Sequence, residues 1–484
     1  MRHSVKLATA VFMFLAGSAL AETSIDLPIP EARALATQAA LGGEPETARR
    51  IAAALLQADP NDRAALLVLA AVEPQLGRPT QGRLAGARAY AVSVTNAEKY
   101  EAARLTALAA ANEGRFTLAQ WWLRRALTVA PTPADAAQTM TDARGLRNLN
   151  PWSSNVALSF APSDNVNGGS ESQVYTIDGL PSGPLGPGAL SADAQALSGW
   201  AGILDLSTSY RLNASPTYQT TVTARAYGRG VLLSQDAQAA LNAEQSDAKA
   251  SDFSTALLEF GLRHDRAATN GTYGFELTVG QVWSQTEFDY SFLRLGANRR
   301  FPIGERTQLS FAASAERRWN DSYDPEQWRR NIQGSWSRTG ANGNVLSATL
   351  SYSNVLALAV PKVGTIEIGQ ETYGFIYYQA NTNDNAVSTT AQVRYELAKP
   401  VGPAQLDFSI GLQEQHFRDY VFVQVVPGGR EDLRVFASVN AFFPDYSYAG
   451  FAPVVTLSAS RTDSNVSRFD TNDLSLSFTF RSTF

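Results

Sequence analysis

The sequence predicts an α + β chain of two domains: an all-α, solenoid-like helical domain, then a 14-stranded antiparallel transmembrane β-barrel. Three observations carry this. The hydrophobic period changes from 3.6 to 2 after Pro151. The period-2 segments run for roughly 10 residues or more, the length a tilted membrane strand needs, where soluble strands average about 5–6. No later run reaches the roughly 18 apolar residues of a membrane helix.

Composition sets the bounds. The 484 residues carry a formal net charge of -5, so no basic field points to nucleic acid. A mean hydropathy of -0.17 is compatible with a membrane barrel, because half of each strand faces a polar lumen. There is no cysteine, hence no disulfide and no lipid-modified N-terminal Cys. Residues 1–21 read as a secretory signal: Arg2 and Lys6 supply the positive region, Leu7 to Leu15 the apolar one, and Ala19-Leu20-Ala21 the cleavage site. The mature chain is expected to begin near Glu22.

Residues 22–148 form the helical domain. From Pro28 to Asn148 the chain is rich in Ala, Leu, Arg and Glu and breaks at Gly42-Gly43, Asp59-Pro60-Asn61, Gly77-Arg78, Gly114-Arg115 and Ala130-Pro131. Gly43 and Gly77 are 34 residues apart, and Leu55 to Asn61 is echoed by Ala126 to Thr132. Paired helices at this period resemble tetratricopeptide repeats, in which each pair buries its apolar face only against its neighbours. Gly77 to Gly114 is 37 residues, off that period, and several of the usual aromatics are missing. An irregular helical bundle is the alternative. Of Trp121 and Trp122, one is expected in the core.

Residues 149–484 form the barrel. Leu433, Val435, Ala437, Val439, Ala441 and Phe443 fall on one face and Asp432, Arg434, Ser438 and Asn440 on the other, with Phe436 and Phe442 breaking the alternation. Similar patterns place strands near 155–161, 200–213, 217–231, 252–265, 271–284, 290–303, 306–320, 328–340, 344–357, 386–399, 404–418, 431–444, 452–464 and 472–484. Thr372 to Ala380 is a further strand candidate. An odd count would put the two barrel ends on opposite sides, so Leu358 to Asn385 is assigned to an external loop with its own hairpin. Phe301 to Gly304 and Lys399 to Gly402 are expected as periplasmic turns, and Ser163 to Ala196 and Ser234 to Ser251 as external loops. The even count places the helical domain in the periplasm. In the closing strand, Leu474, Leu476, Phe478, Phe480 and Phe484 alternate with small or polar residues. A terminal aromatic after such alternation resembles the signal read by the bacterial barrel-assembly machinery.

Recognisable catalytic chemistry is absent. The three histidines (His3, His264, His416) lie in no motif, and no HExxH, GxSxG or phosphate-binding loop occurs. A barrel lipase would need His264 or His416, and a strand-end histidine without a catalytic role is the simpler account. Asn381 to Asn385 and Asp470 to Asp473 lack the ligand spacing of a calcium loop and read as turns. The expectation is no enzyme, no metal and no cofactor. The lumen is the informative face. Arg225, Glu259, Arg263, Glu276, Arg294, Arg394, Glu396, Asp407, Arg434 and Arg481 are expected to point inward. This mixed charge suits either a wet, peptide-tolerant interior or salt bridges bracing the wall.

Signal, tetratricopeptide-like domain and C-terminal barrel, in that order, resemble the surface lipoprotein assembly modulator family, Slam, of the type XI secretion route in Gram-negative bacteria. Local echoes are Phe160-Ala161-Pro162-Ser163-Asp164-Asn165-Val166-Asn167 at the barrel start and Arg461-Thr462-Asp463-Ser464-Asn465-Val466 before the final strand. The resemblance implies a monomeric protein of the bacterial outer membrane, embedded in its lipid. It implies export of client surface lipoproteins or secreted binding proteins through the barrel, with the periplasmic repeats engaging the client. No ATP site is present, so folding of the client outside or hand-off from periplasmic chaperones is expected to supply direction. A passive solute channel and a polysaccharide-export barrel are the alternatives, the latter usually carrying more repeats.

Overall fold

The computed structural model describes residues 27–180, 187–320, 327–368, 371–379, 382–422 and 424–482. The signal segment, Asn381 and Phe484 therefore lie outside the described residues. The chain divides into two compact units, one ending at Gly114 and one from Arg115 to Phe484.

Among the described residues the first unit holds five helices: α1 (Ile29–Leu41), α2 (Pro45–Ala58), α3 (Arg63–Val72), α4 (Pro79–Val92) and α5 (Asn96–Asn112). Proline opens α2 and α4, where its missing N–H removes no helical bond. Gly43 and Gly77 follow α1 and α3 with φ of 77° and 75°, a left-handed turn that glycine adopts without strain. The core is built mainly of alanine and leucine: Ala36, Ala48, Ala52, Leu55 and Ala65 in one cluster, Leu66, Leu67, Ala85, Ala89 and Ala102 in another. Small side chains let helices approach closely. At Gly86 of α4 a Cβ would collide with Thr106 of α5.

The second unit opens with α6 (Phe116–Thr128) and α7 (Pro133–Leu149). The barrel strands follow: β1 (Trp152–Ser163), β2 (Gly199–Ala214), β3 (Tyr218–Leu233), β4 (Thr255–Ala268), β5 (Gly271–Ser284), β6 (Glu287–Ile303), β7 (Thr307–Trp319), β8 (Gln327–Thr339), β9 (Val345–Ala357), β10 (Ala386–Glu396), β11 (Gln405–Phe417), β12 (Arg430–Phe442), β13 (Phe451–Ser464) and β14 (Thr471–Ser482). Each pairs antiparallel with its sequence neighbours, and β1 meets β14, closing a 14-stranded barrel. Val360–Ile368 pairs with Glu371–Gln379 in a separate hairpin outside this sheet, so the even count holds.

Strand lengths run from 11 residues in β10 to 17 in β6. Outward positions carry large, exposed apolar side chains all round the wall, among them Phe260, Leu295, Ile332, Leu350, Ile410 and Phe480. A continuous apolar band on a closed sheet is what lipid solvates and water does not. At the short-turn end the outward residues Trp152, Tyr218, Tyr273 and Tyr395 are aromatic, as at a membrane–water boundary. This is an outer-membrane-type barrel. No described helix is long and apolar enough to cross a membrane.

Connections at one end are short (215–217, 269–270, 304–306, 340–344), and the long ones lie at the other (164–198, 234–254, 358–385, 418–429). Described parts of these long loops pack on one another. Ile177, Phe417, Tyr420, Val426 and Val466 bury one another, and α8 (Gln235–Ala243) places Ala237 and Leu241 against Ala192 and Leu197.

Candidate functional site: the barrel lumen

Strand alternation positions every inward group. Around β2 to β7 these groups join into one ion-pair chain. Arg225 of β3 grips Asp205 of β2 with two hydrogen bonds, Nε to Oδ1 at 2.9 Å and Nη2 to Oδ2 at 2.7 Å. Its Nη1 lies 3.8 Å from Glu259 of β4. Glu259 accepts from Arg294 of β6 at 2.7 Å, and Arg294 lies 3.6 Å from Glu316 of β7. Glu316 is nearly excluded from solvent and accepts from Arg318 at 2.6 Å. Such chains cancel charge locally and brace neighbouring strands.

Arg294 reaches Glu259 across the whole of β5, because that strand offers small residues inward. Gly280 lies under the Phe292 ring, where a Cβ would clash, and Thr278 is the register partner of Arg294. Arg263 and Glu276 face each other in register, yet Arg263 closes on Asp265 of its own strand at 2.8 Å and Glu276 accepts from Thr278 at 3.0 Å.

The opposite wall is different. Arg394 meets Asp407 at 3.1 Å and lies 4.0 Å from Glu396. Asp407 accepts from Asn440, which in turn accepts from Thr456. Arg434 donates to Ser460, and Arg481 sits 3.8 Å over the Phe442 ring. Hydroxyls fill the rest. Ser409, Ser438, Ser458, Ser475 and Ser163 are successive register partners across β11 to β14 and β1. Ser409 bonds Ser438 at 2.8 Å and Ser458 bonds Ser475 at 2.6 Å. One wall is thus a continuous ion-pair chain, and the other sets isolated charges beside a belt of hydroxyls.

The structure therefore joins Arg225 and Arg294 in one network and Arg394 and Asp407 in another, and leaves Arg263, Glu276, Arg434 and Arg481 apart. Sequence reasoning missed Asp205, Glu316 and Arg318. Asp205 was findable, since Leu204 and Leu206 flank it on the outward face. Glu316 was not, because Ala315 and Arg317 mark no apolar side. Toward the loop end the lumen holds a cavity of about 430 Å³, lined by Tyr290, Arg318, Arg329, Asp384, Gln415 and Phe417 among others. Above it, Arg430 pairs with Asp432 at 3.1 Å and lies between the Phe417 and Phe469 rings at 3.6 Å from each. No group of three or more His, Cys, Asp or Glu among the described residues is placed to hold a metal ion.

Of the other sequence-stated positions, Leu474, Leu476, Phe478 and Phe480 lie exposed on the outer face of β14. Trp122 is buried in α6 and Trp121 exposed.

Fold and lumen together define a class: an outer-membrane-type barrel with a polar interior that carries both charge signs, preceded by helices. No family model and no curated protein matches the chain. Among solved structures it is similar to OccAB3 of Acinetobacter baumannii, at 12% identity over 68% of this chain and 98% of that one, with a TM-score of 0.34. CdiB from Acinetobacter baumannii matches at 13% identity over 68% of this chain and 60% of that one, TM-score 0.34. The type III secretion translocator chaperone SycD of Yersinia enterocolitica matches at 16% identity over 25% of this chain and 83% of its own, TM-score 0.23. At such scores these likenesses point to no family and no activity.

Proposed function

We propose that the protein is a translocator of the bacterial outer membrane that carries client proteins, surface lipoproteins or secreted binding proteins, to the cell surface through its barrel. On this reading the N-terminal helices lie in the periplasm and act as tetratricopeptide-like repeats that engage the client. The order of parts resembles that of the Slam family. The observation that carries the proposal is the joining of an alanine-packed helical unit to a barrel whose lumen mixes both charge signs, several of them ion-paired. A lumen without a single-sign field does not select small ions, and a hydroxyl belt gives an extended chain only weak, exchangeable hydrogen bonds. Periplasmic chaperones deliver the client, the barrel-assembly machinery inserts the monomeric barrel, and the chain itself performs no catalysis.

The test is protease shaving of intact cells for an exported protein encoded beside this gene. Deletion of the gene is expected to abolish its surface exposure and retain it in the periplasm. Unchanged exposure would remove the export reading. A passive solute channel is the second reading, favoured by the polar cavity with Arg318 and Arg329 on its wall. Steady ionic conductance through the purified barrel in planar bilayers, unaffected by removal of residues 22–114, would support it.

A further inference from the structure

The barrel is closed unevenly. Among the described residues every other neighbouring strand pair is joined over ten or more register partners, as in β10–β11. Among the described residues the pair β1–β14 is joined at three: Ser159↔Thr479, Phe160↔Phe478 and Ser163↔Ser475. Toward the short-turn end the same register sets Leu158 against Phe480 and Ala157 against Arg481, with no rung between them. Pro162, which has no N–H to give, lies between the two groups of rungs.

The two ends of this seam are held by different means. At the loop end the backbone holds it. Ile177 bridges Val466, the Glu171 N–H donates to the Asp470 carbonyl at 2.8 Å, and the Asp178 N–H donates to the Asn465 carbonyl at 2.9 Å. Ser163 adds a bond to Asp473 at 2.7 Å. At the short-turn end the missing rungs are replaced by side chains of the α6–α7 hairpin. Arg124 of α6 donates to the Ala449 and Gly450 carbonyls at 2.9 and 3.2 Å and to Ser482 Oγ of β14 at 3.0 Å, and sits 4.4 Å over the Phe451 ring. Ala449 and Gly450 both have left-handed φ, 50° and 76°, in the turn that offers those carbonyls. On the other side of the seam, Arg211 of β2 donates to the carbonyls of Asn148, Leu149 and Asn150, at 3.3 to 3.4 Å. Asn150 completes the link. It donates to Thr117 and Gln120 of α6 and accepts from the Trp152 N–H of β1.

We infer that β1–β14 is a lateral gate of the barrel wall, hinged at the loop end and latched at the short-turn end by the α6–α7 hairpin. Opening there breaks few strand rungs. It exchanges side-chain bonds near the water boundary, whereas opening any other pair would strip ten or more rungs in lipid. The latch holds one strand edge through Arg124 and the other through Asn150 and Arg211, so a displacement of the α6–α7 hairpin releases both. The inference does not depend on what passes through the barrel.

The absence of cysteine makes the test clean. In the full-length protein in lipid nanodiscs, nitroxides are placed by Leu158→Cys with Phe480→Cys, facing outward across the gate. Leu457→Cys with Leu476→Cys, register partners in β13 and β14, form the control. Pulsed dipolar spectroscopy is expected to give one narrow distance for the control and an added longer component for the gate pair. Arg124→Ala is expected to raise the long-to-short ratio at the gate about tenfold, the loss of about 1.4 kcal/mol of charge-assisted bonding, and to leave the control unchanged. Arg211→Ala, on the opposite strand edge, is expected to act in the same direction. A single narrow gate distance that neither variant alters would overturn the inference, as would equal broadening at gate and control.

Discussion

Asp62 shows how much one side chain carries in the first unit. It is almost fully buried, accepts from the Ala65 N–H at the start of α3 at 3.1 Å, and accepts from Arg33 of α1 at 2.8 Å. Asp62→Ala loses the helix cap and leaves the Arg33 guanidinium without that partner. The expected loss is about 1–3 kcal/mol, read as a lower denaturation midpoint of the helical signal. In the barrel, Gly411 carries a comparable constraint. The ring of its register partner Phe436 lies over it, and a Cβ there would collide with that ring. Phe436 breaks the polar alternation of β12 for this reason, and Phe442 breaks it to carry Arg481. Gly411→Val is expected to displace the Phe436 ring and lower the barrel's unfolding temperature in detergent, while Gly374→Val, in the hairpin outside the barrel sheet, leaves it unchanged. Among the loops, burial pushes the Asp470 carboxyl above its usual range, against the hydrogen bond from the Ser464 N–H and with Asp463 adding to the rise. The folded state then holds this proton more tightly than the unfolded one, so its contribution to stability falls as pH rises through the folded value. Asp470→Asn keeps the acceptor for Ser464 and is expected to raise loop protease resistance at pH 7. That difference should vanish once the pH falls below the ordinary carboxylate range.

At the scale of elements, alternation made the strands legible. Fourteen barrel strands and the hairpin of the 358–385 loop follow from period 2, strand length and the even-count rule, and the structure has them with ends shifted by a few residues, beside two further short strand pairs among the described loop residues. Helix breaks were legible for the same local reason, since Gly43, Gly77 and Gly114 all adopt left-handed φ. The folded loops and the identity of ion-pair partners were not legible. They depend on lateral register, which no single strand encodes. Arg294 illustrates this. Its partners Glu259 and Glu316 lie on β4 and β7, and one is reached only because β5 presents Gly280 and Thr278 inward. Removing this cation leaves Glu259 with the distant Arg225 contact and deprives Glu316 of one neighbour. Arg294→Ala is therefore expected to make the lumen more cation-selective, measured as a shift in reversal potential across a salt gradient. Arg330→Ala, on the outward face of β8, is the control expected to leave it unmoved.

At the scale of the whole molecule, the change of sequence grammar and the boundary of the compact units do not coincide. Period 3.6 ends near Asn148, but the unit that contains the barrel begins at Arg115. The reason lies in named bonds. Arg124 ties α6 to the β12–β13 turn and to β14, and Arg211 and Asn150 tie the end of α7 to β2 and β1. Helical periodicity reports only that α6 and α7 are helices, not which surface they cover. This separates two truncations by one hairpin. A protein retaining residues 115–484 keeps the side-chain bonds that stand in for the missing β1–β14 rungs, whereas one retaining residues 151–484 loses them. Both are expected to insert, because the 14-stranded sheet and its apolar band are intact in each. The shorter is expected to unfold at a lower temperature, read from the heat-dependent mobility shift of folded barrels on gels, and the longer at the temperature of the full chain. Equal unfolding temperatures for the two truncations would mean that α6 and α7 contribute nothing to closure, and would return them energetically to the helical repeats.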